Sequence, residues 1–275
     1  MRIVNLENKD RKIVAEAGCF KVLEYVKDTS VSPGNATMEY FMSEMGVRRR
    51  QLIAELNGQT AVITQAGAMQ WFAGDVQAST GIKGVGSLVG NLVKGAVTNE
   101  SAVKPEYEGN GYLALEPTYK FIILEDIGEW GSGMTVEDGM FLACEDTVQN
   151  RVVGRSSVSS AILGGEGLFN LSLYGHGIAA LESNVPRDEL IEIELTDDEL
   201  KIDGSMAMCW TSDLKFKVER TTKTLIGSAM SGEGLVNVYR GTGKVLMSPV
   251  ALTDNLYDAT NSITAKPGKP KNYSK

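Results

Sequence analysis

The chain is constrained most by a glycine-bracketed motif that occurs three times. Its fullest form runs Gly165-Glu166-Gly167, an alternating apolar run from Leu168 to Leu173, Gly175-His176-Gly177, then Ile178 to Leu181 and Pro186. A second copy reads Gly232-Glu233-Gly234, Leu235 to Tyr239, Gly241-Thr242-Gly243, Val245 to Met247 and Pro249. A weaker copy has Glu100, Ala102-Val103, Gly109-Asn110-Gly111, Tyr112 to Leu115 and Pro117. Two extended segments joined at a glycine-flanked residue read as a β-hairpin. Recurrence along one chain predicts tandem units, each too small to bury both of its faces alone.

The motif sets the bounds of those units at 50–118, 119–187 and 188–250. The first opens with Leu52 to Leu56, turns at Asn57-Gly58, a strong hairpin signal, and continues through Ala61 to Ile63. The second opens with Phe121 to Leu124 and reaches Asp138-Gly139. The third opens with the period-two run Leu190 to Leu195 and reaches Asp203-Gly204. A further strand follows each of Gly67, Gly139 and Gly204. Cys144 and Cys209 lie five residues past their glycines, where the first unit has Phe72. A position shared by Phe and two Cys predicts a buried apolar site rather than a reactive or metal-binding thiol.

Residues 1–49 form an N-terminal extension outside the repeats. Ile13-Val14 and Phe20 to Val26 predict strands, and Ser32-Pro33-Gly34-Asn35 a turn. Met38, Phe41, Met42 and Met45, spaced by three and four, predict a short amphipathic helix over Thr37–Met45 with these side chains facing the core. Residues 251–275, which include Lys266-Pro267-Gly268-Lys269-Pro270-Lys271, form a polar tail expected to be disordered. With thirty glycines among 275 residues punctuating short apolar runs, the expected class is all-β. The expected architecture is three tandem antiparallel β-sandwich or roll units packed with pseudo-threefold repetition, plus the extension.

Charge and cysteine content narrow the function. A net charge of -8 argues against non-specific nucleic-acid binding, which needs a basic face. Arg48-Arg49-Arg50 is one candidate for a local basic patch, and it reads as a solvated start to a strand. Three cysteines imply no disulfide framework and suit a reducing compartment. The start of the chain lacks the apolar core of a secretory signal, and no stretch approaches the roughly 18 apolar residues that span a bilayer. A cytoplasmic, soluble protein is expected.

Three constellations invite a chemical reading. Gly84-Val85-Gly86 and Gly90 suggest a phosphate loop, but the Gly-Lys-Ser/Thr ending is absent and no βαβ unit surrounds them. Ile82, Val85, Leu88, Val89, Leu92 and Val93 share one helical face instead, which predicts an interface insert over 82–95. His176, the single histidine, has Asn110 and Thr242 at the matching positions, so it reads as a turn residue and no Ser-His-Asp triad or metal site follows. Glu100, Glu166 and Glu233 recur once per unit. With the motif glycines Gly109, Gly111, Gly165, Gly167, Gly175, Gly177, Gly232, Gly234, Gly241 and Gly243 they are expected to serve structure, accepting backbone N–H groups at tight turns. No catalytic residue, metal or cofactor is expected.

Gly67 to Val76, the glycine-rich insert, Glu100, the Gly109 to Pro117 hairpin and the Gly-Glu-Gly hairpin of the second unit resemble bacterial relatives of the altered inheritance of mitochondria family, member twenty-four. The resemblance covers about residues 48–250. It implies an all-β protein of tandem units similar to the tryptophan RNA-binding attenuator fold, assembling as a ring-like homotrimer. No catalytic residue comes with it, and a shared fold licenses neither RNA nor tryptophan binding. The expected function is a non-enzymatic assembly or scaffold protein, a homo-oligomer with a trimer favoured. A protein partner or peripheral membrane contact would come through 82–95. The alternative is a ring that holds a small molecule or single-stranded nucleic acid between units.

Overall fold

The computed structural model describes residues 1–79, 104–154, 169–203, 206–220 and 235–250. Among these, sixteen strands and one α-helix follow in order: β1 (Arg11–Ala17), β2 (Phe20–Tyr25), α1 (Ala36–Glu44), β3 (Arg50–Asn57), β4 (Val62–Thr64), β5 (Met69–Ser79), β6 (Glu106–Leu115), β7 (Phe121–Asp126), β8 (Met134–Val136), β9 (Phe141–Glu145), β10 (Val148–Gly154), β11 (Phe169–Gly175), β12 (Ile178–Ser183), β13 (Ile191–Asp203), β14 (Ala207–Thr211), β15 (Lys215–Arg220) and β16 (Leu235–Met247). The protein is all-β, as expected from its glycine punctuation. The one helix lies where the methionine spacing predicts it.

The strands form two antiparallel sheets. The first has nine strands in the order β1-β2-β3-β6-β4-β9-β12-β7, with β5 also on β6. The second has seven, β10-β11-β8-β14-β16-β13, with β15 also on β16. The first sheet curls until β1 approaches β7, and an isolated bridge joins Arg50 to Thr118. The N-terminal segment is part of this sheet rather than an appendage, because β2 pairs with β3 from Phe20↔Ala54 to Glu24↔Arg50. One core unites both sheets through Trp130, Phe141, Leu181, Leu171, Cys209 and Leu246. A second, around Phe20, Leu52 and Leu113, belongs to the first sheet. A third gathers Trp210, Tyr239 and Leu195 in the second sheet.

The two sheets do not divide at the bounds of the expected units. Residues 119–187 give β7, β9 and β12 to the first sheet and β8, β10 and β11 to the second. The expected hairpins change with them. β3 and β4 both run antiparallel to β6, so they point the same way, and Asn57-Gly58 jogs the chain without reversing it. Gly109-Asn110-Gly111 and Gly241-Thr242-Gly243 lie inside single strands, β6 and β16. Gly175-His176-Gly177 links β11 to β12, which sit in different sheets and do not pair. The glycines therefore bend one path and do not fold it back. Gly109, Gly177 and Gly241 have φ between +124° and +128°, a region that a residue with a Cβ rarely adopts. A strand with such kinks can coil or change sheets without ending.

The register also revises the sequence alignment of the cysteines. Two residues past Gly111, Gly177 and Gly243 lie Leu113, Ala179 and Val245, which pair with Phe72, Cys144 and Trp210. Cys209 thus falls with Trp71 and Ala143, one place from its expected position. The β-bulges in these ladders add a residue that counting along the chain does not reveal. The buried apolar character holds: Cys144 and Cys209 are both fully buried.

Candidate interaction surface

Helix α1 reverses the usual arrangement of a surface helix, in which the apolar stripe faces inward. It follows the turn at Ser32–Asn35, where the Asn35 Oδ1 accepts from the Ser32 N–H at 2.8 Å and its hydroxyl at 2.9 Å. No residue of the helix is buried. Met38, Phe41 and Met45 stand 48%, 62% and 82% exposed, with Tyr40 at 61%. The Tyr40 and Phe41 rings meet edge-on at 5.5 Å. The sequence expectation that Met38, Phe41 and Met45 face the core is therefore overturned, while Met42 is half-buried. The half-buried side carries Glu39 and Ser43, four residues apart on one face, together with Ala36 and Met42.

What holds the helix down is polar. The Tyr119 hydroxyl donates to Glu39 Oε1 at 2.7 Å and accepts from Arg49 Nε at 2.9 Å. Arg49 also pairs with Asp28 at 3.2 Å. Arg48 donates to the Ser43 carbonyl at 3.2 Å, at the end of the helix, and pairs with Glu24 at 3.0 Å. Arg50 is 4% exposed; it pairs with Glu24 at 2.7 Å, donates to the Gly46 carbonyl at 3.2 Å and lies 3.8 Å over the Phe121 ring. The arginine cluster is thus a buried and half-buried brace, not a solvated stretch. A cleft of about 390 Å³ runs between the helix and this brace, lined by Tyr25, Asp28, Glu39, Arg48, Arg49 and Tyr119 among others.

Asp28 has its pKa lowered. Burial alone would raise it, but the hydrogen bonds from the Ser30 N–H and hydroxyl and the charge of Arg49 outweigh burial. A carboxylate with a depressed folded pKa contributes stability that is complete above its unfolded value, about 3.9 for Asp. That contribution is lost as pH falls through the lower folded value. The α1 amides are therefore expected to lose hydrogen-exchange protection below about pH 4, while those of β6 keep theirs. Equal loss in both places would show that the brace does not anchor the helix.

The motif residues fall in several places. Glu100, Gly165, Glu166, Gly167, Gly232, Glu233 and Gly234 lie outside the described residues, as does the whole 82–95 insert with Ile82, Val85, Leu88, Val89, Leu92 and Val93. His176 is exposed in its turn, beside Gly128. Burial raises the thiol pKa of Cys144 to about 12 and drives those of Cys19 and Cys209 upward as well. None of the three is primed as a nucleophile. Sequence reasoning missed Glu145, whose carboxylate accepts from the Cys19 N–H and the Ile178 N–H, both at 2.9 Å. It performs the turn-tying role expected of the repeated glutamates, but its own position carries no repeat signal. Among the described residues no group of three His, Cys, Asp or Glu is placed to hold a metal ion.

The architecture agrees with that of known proteins. Residues 44–250 match the family described as Mitochondrial biogenesis AIM24. The chain belongs to the AIM24 family. It is 28% identical over 200 residues to the uncharacterized protein M6_Spy0233 of Streptococcus pyogenes serotype M6, covering 70% of this chain and 78% of that one. It is also similar to the X-ray crystal structure of protein SPYM3_0169 from Streptococcus pyogenes, with a TM-score of 0.55 and 25% identity over 79% of this chain and 93% of that one. The AIM24 match begins at residue 44, so β1, β2 and all but the last residue of α1 precede it. No helix among the described residues is long and apolar enough to cross a membrane.

Proposed function

We propose that this AIM24-family protein is a non-enzymatic, cytoplasmic assembly protein, a homo-oligomer that presents apolar surface to protein partners. The observation that carries the reading is α1: Met38, Tyr40 and Phe41 on the helix and Met45 just past its end are held outward while a polar network clamps the helix in place. Apolar side chains gathered on an ordered surface mark an interaction site. The combined change Met38→Ser, Phe41→Ser and Met45→Ser is expected to leave the far-ultraviolet circular dichroism unchanged. It should reduce either the oligomer mass in light scattering or the capture of partners. If mass and captured proteins both match the unchanged chain, α1 is not the presenting surface.

The chain is further proposed to be three tandem β-sandwich or roll units with pseudo-threefold repetition, at 50–118, 119–187 and 188–250, similar to the attenuator fold. Six ladders support this. Ala114, Ala180 and Leu246, each three residues past the second motif glycine, pair on one side with Ile53, Leu124 and Glu192. On the other side they pair with Trp71, Ala143 and Cys209. The homotrimer that such units would build is tested by native mass spectrometry, and a monomer at working concentration would overturn it.

A ligand-binding ring is the second reading. Its support would be a pocket gathering Glu100, Glu166 and Glu233, which lie outside the described residues, or a basic stripe at Arg48-Arg49-Arg50, where all three side chains are engaged by Glu24, Asp28 and Glu39. That engagement ranks it below assembly.

A further inference from the structure

We infer that one edge of β13 pairs with the exposed half of β5 in a second copy of this chain, joining protomers by continuous β-sheet. The inference rests on the assembly reading and names its partner. It comes from two junctions within the chain that share one register. In the first, Val62, Ile63 and Thr64 of β4 pair with Glu145, Cys144 and Ala143 of β9. In the second, Met134, Thr135 and Val136 of β8 pair with Thr211, Trp210 and Cys209 of β14. Each time the strand after the opening strand of one segment lies against the strand that follows Gly139 or Gly204 in the next.

The third segment has the same strand, and the first has the same acceptor. Val62, Met134 and Leu200 each face the residue two before a motif glycine: Tyr107, Leu173 and Tyr239. Phe72, Cys144 and Trp210 are matched on the acceptor side. Continuing the register sets Leu200 against Ala73, Lys201 against Phe72 and Ile202 against Trp71. Among the described residues neither edge is filled, since β13 pairs only with β16 and β5 only with β6.

Burial supports the gap. Phe141 to Cys144 in β9 and Ala207 to Trp210 in β14 are all 7% exposed or less. The matching part of β5 leaves Met69 37% and Phe72 40% exposed, although its own partner on β6 is in place. Among the described residues, β9 and β14 have a further strand along this edge and β5 has none. An open apolar strand edge is a template for further pairing. Because β13 and β5 are different strands, the contact is head-to-tail, and a closed ring consumes every such edge.

Cysteine cross-linking tests the register directly. Chains carrying Lys201→Cys and chains carrying Phe72→Cys, with tags of different size, are co-expressed and oxidised. A disulfide-linked pair containing one chain of each kind is expected, strongly reduced when Asp203→Cys replaces Lys201→Cys. Phe72→Lys is expected to abolish the oligomer in light scattering while circular dichroism stays unchanged. A chain carrying both cysteines that links only to itself overturns the inference, because the two edges then meet within one protomer. An oligomer that persists without any cross-link overturns this pairing and leaves the assembly reading standing. A monomeric unchanged protein overturns both.

Discussion

Replacing Gly109 with alanine is expected to lower the unfolding free energy by about 3 kcal/mol or more, read as a shift of the urea midpoint. Two costs add. The residue has φ +124°, which a residue with a side chain adopts only under strain. A Cβ there would also lie 2.0 Å from the Asp75 carbonyl oxygen on β5. That contact is backbone against backbone within a ladder that pairs Val76 with Gly109, so no flexible group can yield. Gly139 separates the two costs: its φ is +77°, but a Cβ would meet nothing within 4 Å. Gly139→Ala should therefore lose only about 1 kcal/mol. Equal losses at the two sites would mean that the close approach of β5 to β6 is not what the motif glycine serves.

Arg50→Ala is expected to cost about 3 kcal/mol, since removing one member of a buried ion pair strands the other. Here the stranded group is Glu24, which is left with Arg48 alone. The Gly46 carbonyl and the face of the Phe121 ring lose their partner as well. Arg48→Ala is the control, because Arg48 is 30% exposed in its side chain and such a pair contributes about 1 kcal/mol or less. Arg50→Lys keeps a positive charge but not the planar fork that reaches a carboxylate, a carbonyl and a ring together. It should fall between the two. If Arg50→Ala costs no more than Arg48→Ala, the brace beneath α1 is a surface feature and the helix is held by something else.

Both expectations rest on residues whose importance is unevenly legible in sequence. The motif glycines announce themselves by recurrence, and the structure gives their spacing a cause in kinked, continuous strands. Arg50 resembles its two neighbours in every sequence property. Burial separates it from them, and burial depends on where Phe121 and Glu24 arrive from elsewhere in the chain. Helix α1 shows the same limit. Its three-and-four spacing correctly places a helix, but spacing defines an apolar face without saying which way that face turns. The polar contacts of Glu39 with Tyr119 and Arg49 turn it outward, and Tyr119 lies 80 residues along the chain from Glu39.

Local properties of the chain account for its strand content, the site of its helix, the buried character of Cys144 and Cys209, and the recurrence that brackets three segments. These depend on side-chain alternation, on glycine's freedom at positive φ and on apolar burial, all of which act within a few residues. Pairing is different, because a strand offers hydrogen bonds along both edges and its own residues do not select a neighbour. Only the tertiary structure therefore decides that Asn57-Gly58 jogs the chain, that β11 and β12 part into different sheets, and that the middle segment divides between them. It likewise decides that, among the described residues, the matching edges of β5 and β13 are left open.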